Sequence, residues 1–230
     1  MKDCIIMKYP YKLVNGHIIV ESEQNNYLID TGAPTSVHGN GAIFFAGLEY
    51  PAQSNYMGVT PESLSKHIKS EIDGLVGADI INQFDLLIDP EKSTLFLTKD
   101  LLELPDPSVS LDLFMGIPIV EVSVNNQRLR MFFDTGAQLS YLSPDIASSY
   151  PSLGNAADFY PGVGEFTTPT YEVPCKFSTE ELVLKVGVLP PLLQATLMMA
   201  NTSGILGTMI LESYQVFYAP RRKQLAIQKI

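Results

Sequence analysis

One six-residue pattern occurs twice in this 230-residue chain. Leu28-Ile29-Asp30-Thr31-Gly32-Ala33 returns as Phe132-Phe133-Asp134-Thr135-Gly136-Ala137, an offset of 104 residues. The replay continues in order. Tyr56-Met57-Gly58-Val59 returns at the same offset as Tyr160-Pro161-Gly162-Val163. Gly74-Leu75-Val76-Gly77 returns as Gly204-Ile205-Leu206-Gly207, now at an offset of 130, and the tail 84–90 matches 214–220 at that offset. A second half that repeats the first in order restricts the chain to architectures built from two like units. The change from 104 to 130 places 26 extra residues in the second half, between its Tyr-x-Gly-Val and its Gly-Ile-Leu-Gly.

The boundary falls at Leu104-Pro105-Asp106-Pro107-Ser108, where prolines and turn formers break the apolar pattern. The expected units are therefore 1–104 and 105–230, each near the usual size of a small domain. Within each, short apolar runs separated by turn residues predict strands. Residues 16–20 and 27–29 read as a hairpin leading into the first Asp-Thr-Gly, and 117–124, Asn125-Asn126 and 129–133 repeat it. The pair 86–88 and 95–97 reads as another hairpin, with a counterpart turning at Pro220-Arg221-Arg222-Lys223, a basic triplet expected to sit in solvent. Helical signals are few: Ser143-Pro144-Asp145 opens a short helix towards Ser149, and 80–84 suits a single turn. The segment after Thr60 is too short for a returning hairpin and reads as a short helix.

Composition closes several alternatives. Fifteen basic against twenty-five acidic residues give a formal charge of −10, which phosphate backbones repel, so nucleic acid is not an expected partner. A hydrophobic content of 46% excludes a disordered chain. Cys4 and Cys175 lack a Cys-x-x-Cys pattern, which leaves neither a disulfide scaffold nor a cysteine zinc site, and they read as reduced thiols of a cytoplasmic protein. The start of the chain has no signal-like apolar segment. The uncharged stretch 186–211 is broken by Pro190-Pro191 and Gly204, so no membrane helix is expected there. Three histidines, His17, His38 and His67, show no metal-ligand spacing and read as surface or packing residues. No Gly-x-Ser-x-Gly elbow or phosphate-binding loop is present, and no metal or cofactor is expected.

The paired Asp-Thr-Gly-Ala motifs, each preceded by an apolar strand and followed by an apolar-apolar-Gly element, resemble the retropepsin-like aspartic proteases. The resemblance implies an all-β acid-protease fold: two closed-barrel-like lobes fused in one chain and related by a pseudo-two-fold. It implies catalysis by Asp30 and Asp134, supported by Thr31, Gly32, Ala33, Thr135, Gly136 and Ala137. In that family each threonine hydroxyl bonds the opposing loop, and the 75–77 and 205–207 segments pack beneath the aspartates. Tyr56 and Gly58, and Tyr160, Gly162 and Gly164, fall where the family places its flap, a hairpin that closes over an extended peptide. The second copy has room for a full return strand and is the expected working flap.

The chemistry asks for this pattern independently of the likeness. Two carboxylates about 3 Å apart cannot both ionise comfortably and share one proton. The charged member takes a proton from water, and the protonated member donates to the carbonyl oxygen. Gly32 and Gly136 allow the two loops to approach, since a Cβ there would crowd the opposite loop. The expected function is endopeptidase action on a peptide or protein by a monomer. Its rivals are a catalytically silent, protease-shaped protein that binds a peptide or small ligand, and an interaction protein assembling through the uncharged 186–211 surface.

Overall fold

Two two-residue turns organise the start of each half. Asn15-Gly16, Glu23-Gln24, Met115-Gly116 and Asn125-Asn126 all have both residues at positive φ, between 48° and 86°. That twist matches antiparallel strands, so each turn closes a tight hairpin. The structure, a computed structural model, describes residues 6–160 and 163–230. It is all-β, with strands in two large sheets and one small hairpin. The turns link Ile6–Val14, His17–Ser22 and Asn25–Ile29 into one meander, and Asp112–Phe114, Ile117–Val124 and Gln127–Phe133 into the other.

Each meander ends beside a short buried strand. Asn25–Ile29 runs parallel to Gly74–Val76, with Tyr27 opposite Gly74 and Ile29 opposite Val76. Val37–His38 lies antiparallel on the other side of Gly74–Val76. Gln127–Phe133, Gly204–Leu206 and Ser140–Leu142 repeat the arrangement. A strand flanked on both edges and covered on both faces has no polar side to show, hence Gly-Leu-Val and Gly-Ile-Leu. A Cβ on Gly204 would lie 2.2 Å from the Tyr141 carbonyl oxygen, so this central strand admits no side chain there.

Among the described residues four α-helices punctuate the strands: α1 (Pro61–Ile68), α2 (Ala78–Ile81), α3 (Pro144–Ala147) and α4 (Pro191–Met199). Thr60 caps α1 by accepting from the Ser63 amide at 3.2 Å, Ser63 returns the bond to the Thr60 amide at 2.9 Å, and Pro61 starts the first turn. Buried Leu64 and Ile68 then face Leu28 and Leu75. The expected helix after Thr60 is present, but it does not stand in for a return strand. Pro61 of α1 and Pro191 of α4 are themselves offset by 130, and α4 packs Leu193 and Leu197 near Phe132 and Ile205 in the same way. The extra residues of the second half are strand: Gly164–Phe177 and Glu180–Val188 lie between the Tyr-x-Gly-Val copy and α4. The α3 helix ends at Ala147, short of the expected Ser149, and Ser143 makes no side-chain cap bond. The turn expected at 80–84 begins earlier, as α2.

A six-strand antiparallel run joins the ends of the chain: Ile6–Val14, Thr94–Thr98, Asp85–Asp89, Tyr214–Ala219, Gln224–Lys229 and Val109–Ser110. The last hairpin of the second half thus continues the sheet of the first, with Phe217 opposite Leu87. The basic turn at Arg221-Arg222-Lys223 keeps Arg221 and Lys223 exposed, as expected, but its two arginines also reach inward to a buried partner. Arg221 Nε donates to Asp85 Oδ1 at 3.0 Å and Arg222 Nη2 to Asp85 Oδ2 at 2.9 Å, with Asp85 fully buried. A carboxylate carried into the core needs such charged donors, and the basic turn supplies them. Cys175 is a buried free thiol whose pKa burial pushes up to about 12. Cys4 lies outside the described residues. Among the described residues no helix is long and apolar enough to cross a membrane.

Candidate active site

The two Asp-Thr-Gly loops meet at the centre of the molecule. Each begins where its strand leaves the buried Gly strand: the Asp30 amide donates to the Val76 carbonyl and the Asp134 amide to the Leu206 carbonyl, both at 3.0 Å. The turn then folds back on its own carboxylate. The Gly32 and Ala33 amides donate to Asp30 Oδ1 at 2.8 and 3.0 Å, and the Gly136 amide donates to Asp134 Oδ1 at 2.8 Å.

The threonines cross over. Thr31 donates its hydroxyl to the Phe133 carbonyl at 2.7 Å, and Thr135 donates to the Ile29 carbonyl at 2.8 Å. Each hydroxyl oxygen also accepts the other threonine's amide at 3.0 Å. Both threonines are buried, so four hydrogen bonds satisfy two hydroxyls, two amides and two carbonyls without water. The glycines are what the approach requires. A Cβ on Gly32 would stand 2.2 Å from Asp134 Cγ, and one on Gly136 would stand 2.4 Å from Asp30 Cγ.

The carboxyls of Asp30 and Asp134 are hydrogen-bonded to each other and enclosed by the loops. Burial pushes the Asp30 pKa well above the usual carboxylate range, and the neighbouring Asp134 charge and the bond to it push the same way. Burial also raises Asp134, but the Gly136 amide and the Asp30 hydrogen bond oppose the rise. The two carboxyls therefore share one proton and titrate as a unit. Such a pair can take one proton from a water and give another to a carbonyl oxygen.

Above the pair lies a cleft of about 180 Å³. Its roof is the hairpin of Ser152–Tyr160 and Gly164–Phe177. Tyr160 lines the cleft, its phenol pushed up to about 12 by burial, then by the charges of Asp134 and Asp30. Tyr56 lines it from the opposite side, in the tight turn that precedes α1. Gly58, at φ +90°, is the outward tip of that turn, and Gly164, at φ +87°, opens the return strand; neither lines the cleft. Gly162 lies outside the described residues.

Sequence reasoning missed several groups here. Ser36 and Ser140, themselves 104 apart, accept the Gly77 and Gly207 amides at 2.9 and 3.1 Å and so tie each loop to its buried strand. That offset was the available signal. Asp79 accepts the Ser36 hydroxyl at 2.6 Å, with Met209 at the matching place in the second half. His17 and His67, read as surface or packing residues, both line the cleft. His17 bonds the Gly136 backbone, and His67 stacks on Phe159 of the roof hairpin with centroids 3.8 Å apart. Burial is the first cause lowering both imidazole pKa values. Tyr141 donates its hydroxyl to Asp158, also on the roof.

Two solved structures are similar to part of the chain. The EIAV protease complexed with the inhibitor HBY-793 is 22% identical over 42% of this chain and 86% of its own, at a TM-score of 0.33. The Simian Foamy Virus (mac) protease is 13% identical over 40% of this chain and 88% of its own, at a TM-score of 0.30. Likeness at that level bears on neither the site nor its chemistry. No protein-family model and no curated protein matches the chain.

Proposed function

We propose that the chain is an aspartic endopeptidase of the retropepsin-like kind, with 1–104 and 105–230 as its two lobes and Asp30 and Asp134 as its catalytic pair. The observation that carries this reading is the mutual seating of the two loops, in which reciprocal threonine bonds hold two carboxyls in hydrogen-bond contact. Two half-buried acids in contact destabilise a fold, and a merely structural junction has no use for them.

In this reading one carboxyl of the Asp30/Asp134 pair is the base and the other the acid. The charged member draws a proton from a water as that water attacks the peptide carbonyl, and the protonated member donates its proton to the carbonyl oxygen. The resulting diol collapses, the amine leaving with a proton, and the pair returns to its one-proton state. Both acids come from one chain, so the active unit is a monomer. A cleft of about 180 Å³ is below the ~300–1,000 Å³ of ordinary ligand sites. The roof hairpin therefore acts as the flap and lifts to admit an extended peptide.

That tightness also favours a second reading, a silent protein whose cleft holds a small ligand. Incubation with a mixed peptide library, read by mass spectrometry for new termini, separates them. Cleavage that disappears in Asp30→Asn supports the endopeptidase. An intact library under mildly acidic and neutral conditions overturns it.

A further inference from the structure

Asp158 is a cleft carboxylate for which the mechanism above has no use. It sits two residues before Tyr160 on the strand Ser152–Tyr160, and side chains two apart on a strand share a face. Both line the cleft over the catalytic pair, and the Asp158 charge acts on Asp134, His17, His67 and Tyr141. Its oxygens are only half used. Oδ2 accepts the Tyr141 hydroxyl and Oδ1 accepts the Phe159 amide at 2.7 Å. A carboxylate offers about four acceptor positions, which leaves about two for a ligand.

No fixed cation answers this charge. Among the described residues that line the cleft there is neither Lys nor Arg, and Asp158 takes part in none of the ion pairs found among them. The nearby bases are His17 and His67, which burial holds towards the neutral form. His67 also faces Glu165 on the return strand and Lys69 just beyond α1. Phe166 lies opposite Asp158 across the hairpin, and Leu189, Ile205 and Ala137 add apolar lining to the same cleft. An anionic end on an apolar slot suits a long aliphatic stem tipped with a positive charge. A formal charge of −10 over the whole chain attracts the same ligands.

We propose that Asp158 is a specificity-determining residue, and that the cleft selects peptides carrying a Lys or Arg side chain next to the bond to be cut, its cationic head paired with Asp158. This rests on the endopeptidase reading and names its substrate class.

The test uses the full chain at about pH 6, where the lysine is charged, and peptides that differ at one position, Lys against ε-acetyl-Lys, with that position moved across the sequence. At one position the Lys peptide should be favoured in kcat/KM by about ten- to a hundredfold, the range of a charge-assisted hydrogen bond. The Asp158→Asn variant, checked for folding by circular dichroism, should bring the ratio close to one. Equal rates for the two peptides at every position in the unaltered protein, or a preference that survives Asp158→Asn, would overturn the proposal. Binding of the same pair to Asp30→Asn, followed by fluorescence anisotropy, keeps the two readings apart. Tighter binding of the Lys peptide by this variant, with neither peptide cut by the unaltered protein, supports the pairing and sinks only the endopeptidase. Cleavage of both peptides at equal rates sinks only the pairing.

Discussion

Thr31 and Thr135 hold each other: each donates its hydroxyl to the strand that carries the other and accepts the other's amide, at distances between 2.7 and 3.0 Å. Residues 104 apart in sequence thereby become the rivet between the two halves. Replacing Thr31 by Val keeps the shape and leaves the buried Phe133 carbonyl and Thr135 amide without partners. At ~1–3 kcal/mol for each unsatisfied buried group, the variant should lose about 2–4 kcal/mol in urea unfolding, and Thr31→Ser should lose far less. A Val variant within about 0.5 kcal/mol of the parent would show that the crossed bonds do not stabilise the junction.

What the sequence showed and hid follows from the same geometry. The Asp loops were legible because a motif and its repeat are local patterns. Ser36 and Ser140 obey the same offset, but a lone serine announces no chemistry until its amide partner is placed. The solvated turn at Arg221-Arg222 was legible but its ion pairs were not, because the charge run is local while the partner, Asp85, lies 136 residues earlier than Arg221. Only the pairing of Tyr214–Ala219 with Asp85–Asp89 brings them together. Asp158, His17 and His67 were hidden for a related reason. One comes from the roof hairpin and two from the first half, and no spacing along the chain reports that they meet over one cleft.

Glycine at the two loop tips should be required by contact rather than by φ. Neither Gly32 nor Gly136 has a positive φ, yet a Cβ on either would overlap the opposing carboxyl group. The carboxyl must then shift by about an ångström, a displacement that costs roughly a hundredfold in rate where geometry is demanding. Gly32→Ala and Gly136→Ala should each lower kcat by about that factor and stability by about 1–3 kcal/mol. Gly39→Ala, with nothing within 4 Å of the added atom, is the matched control. Turnover unchanged in both loop variants would mean that the loops are not held in contact.

The acid pair itself should be a stability liability whose size depends on pH. Burial and the Asp134 charge raise the Asp30 pKa in the folded state, so folding binds protons more tightly than the unfolded chain. Below the unfolded carboxylate value of about 3.9 both states are protonated and the penalty is absent. It grows as pH rises through the folded value and is complete above it. Asp30→Asn removes the penalty, so it should be more stable than the parent near pH 7 and equal to it near pH 3. The same variant, and Asp134→Asn, should each lower kcat by about a thousandfold or more, with the double variant little worse. Thermal unfolding across pH 3–8 checks the first statement and single-turnover cleavage the second. A stability gap independent of pH would show that Asp30 is not the residue carrying the raised pKa.

The residue after each loop glycine should tune the working pH, and here it is Ala33 and Ala137. Asp30 Oδ1 already accepts the Gly32 and Ala33 amides, and those bonds are the contributions that lower its pKa against burial. Alanine offers no further donor, so the pair keeps its shared proton to a higher pH than it would with a hydroxyl alongside. A bell-shaped kcat/KM profile with its maximum at roughly pH 4–6.5 is expected, its two limbs belonging to the pair and not to either residue. Ala33→Ser with Ala137→Ser adds a hydroxyl beside each carboxylate, and a donor to the charged form lowers the pKa. Both limbs should therefore move to lower pH together. A bell that stays in place or moves upward would mean that the added hydroxyls do not reach the carboxylates, and that loop amides and burial alone set the proton's hold.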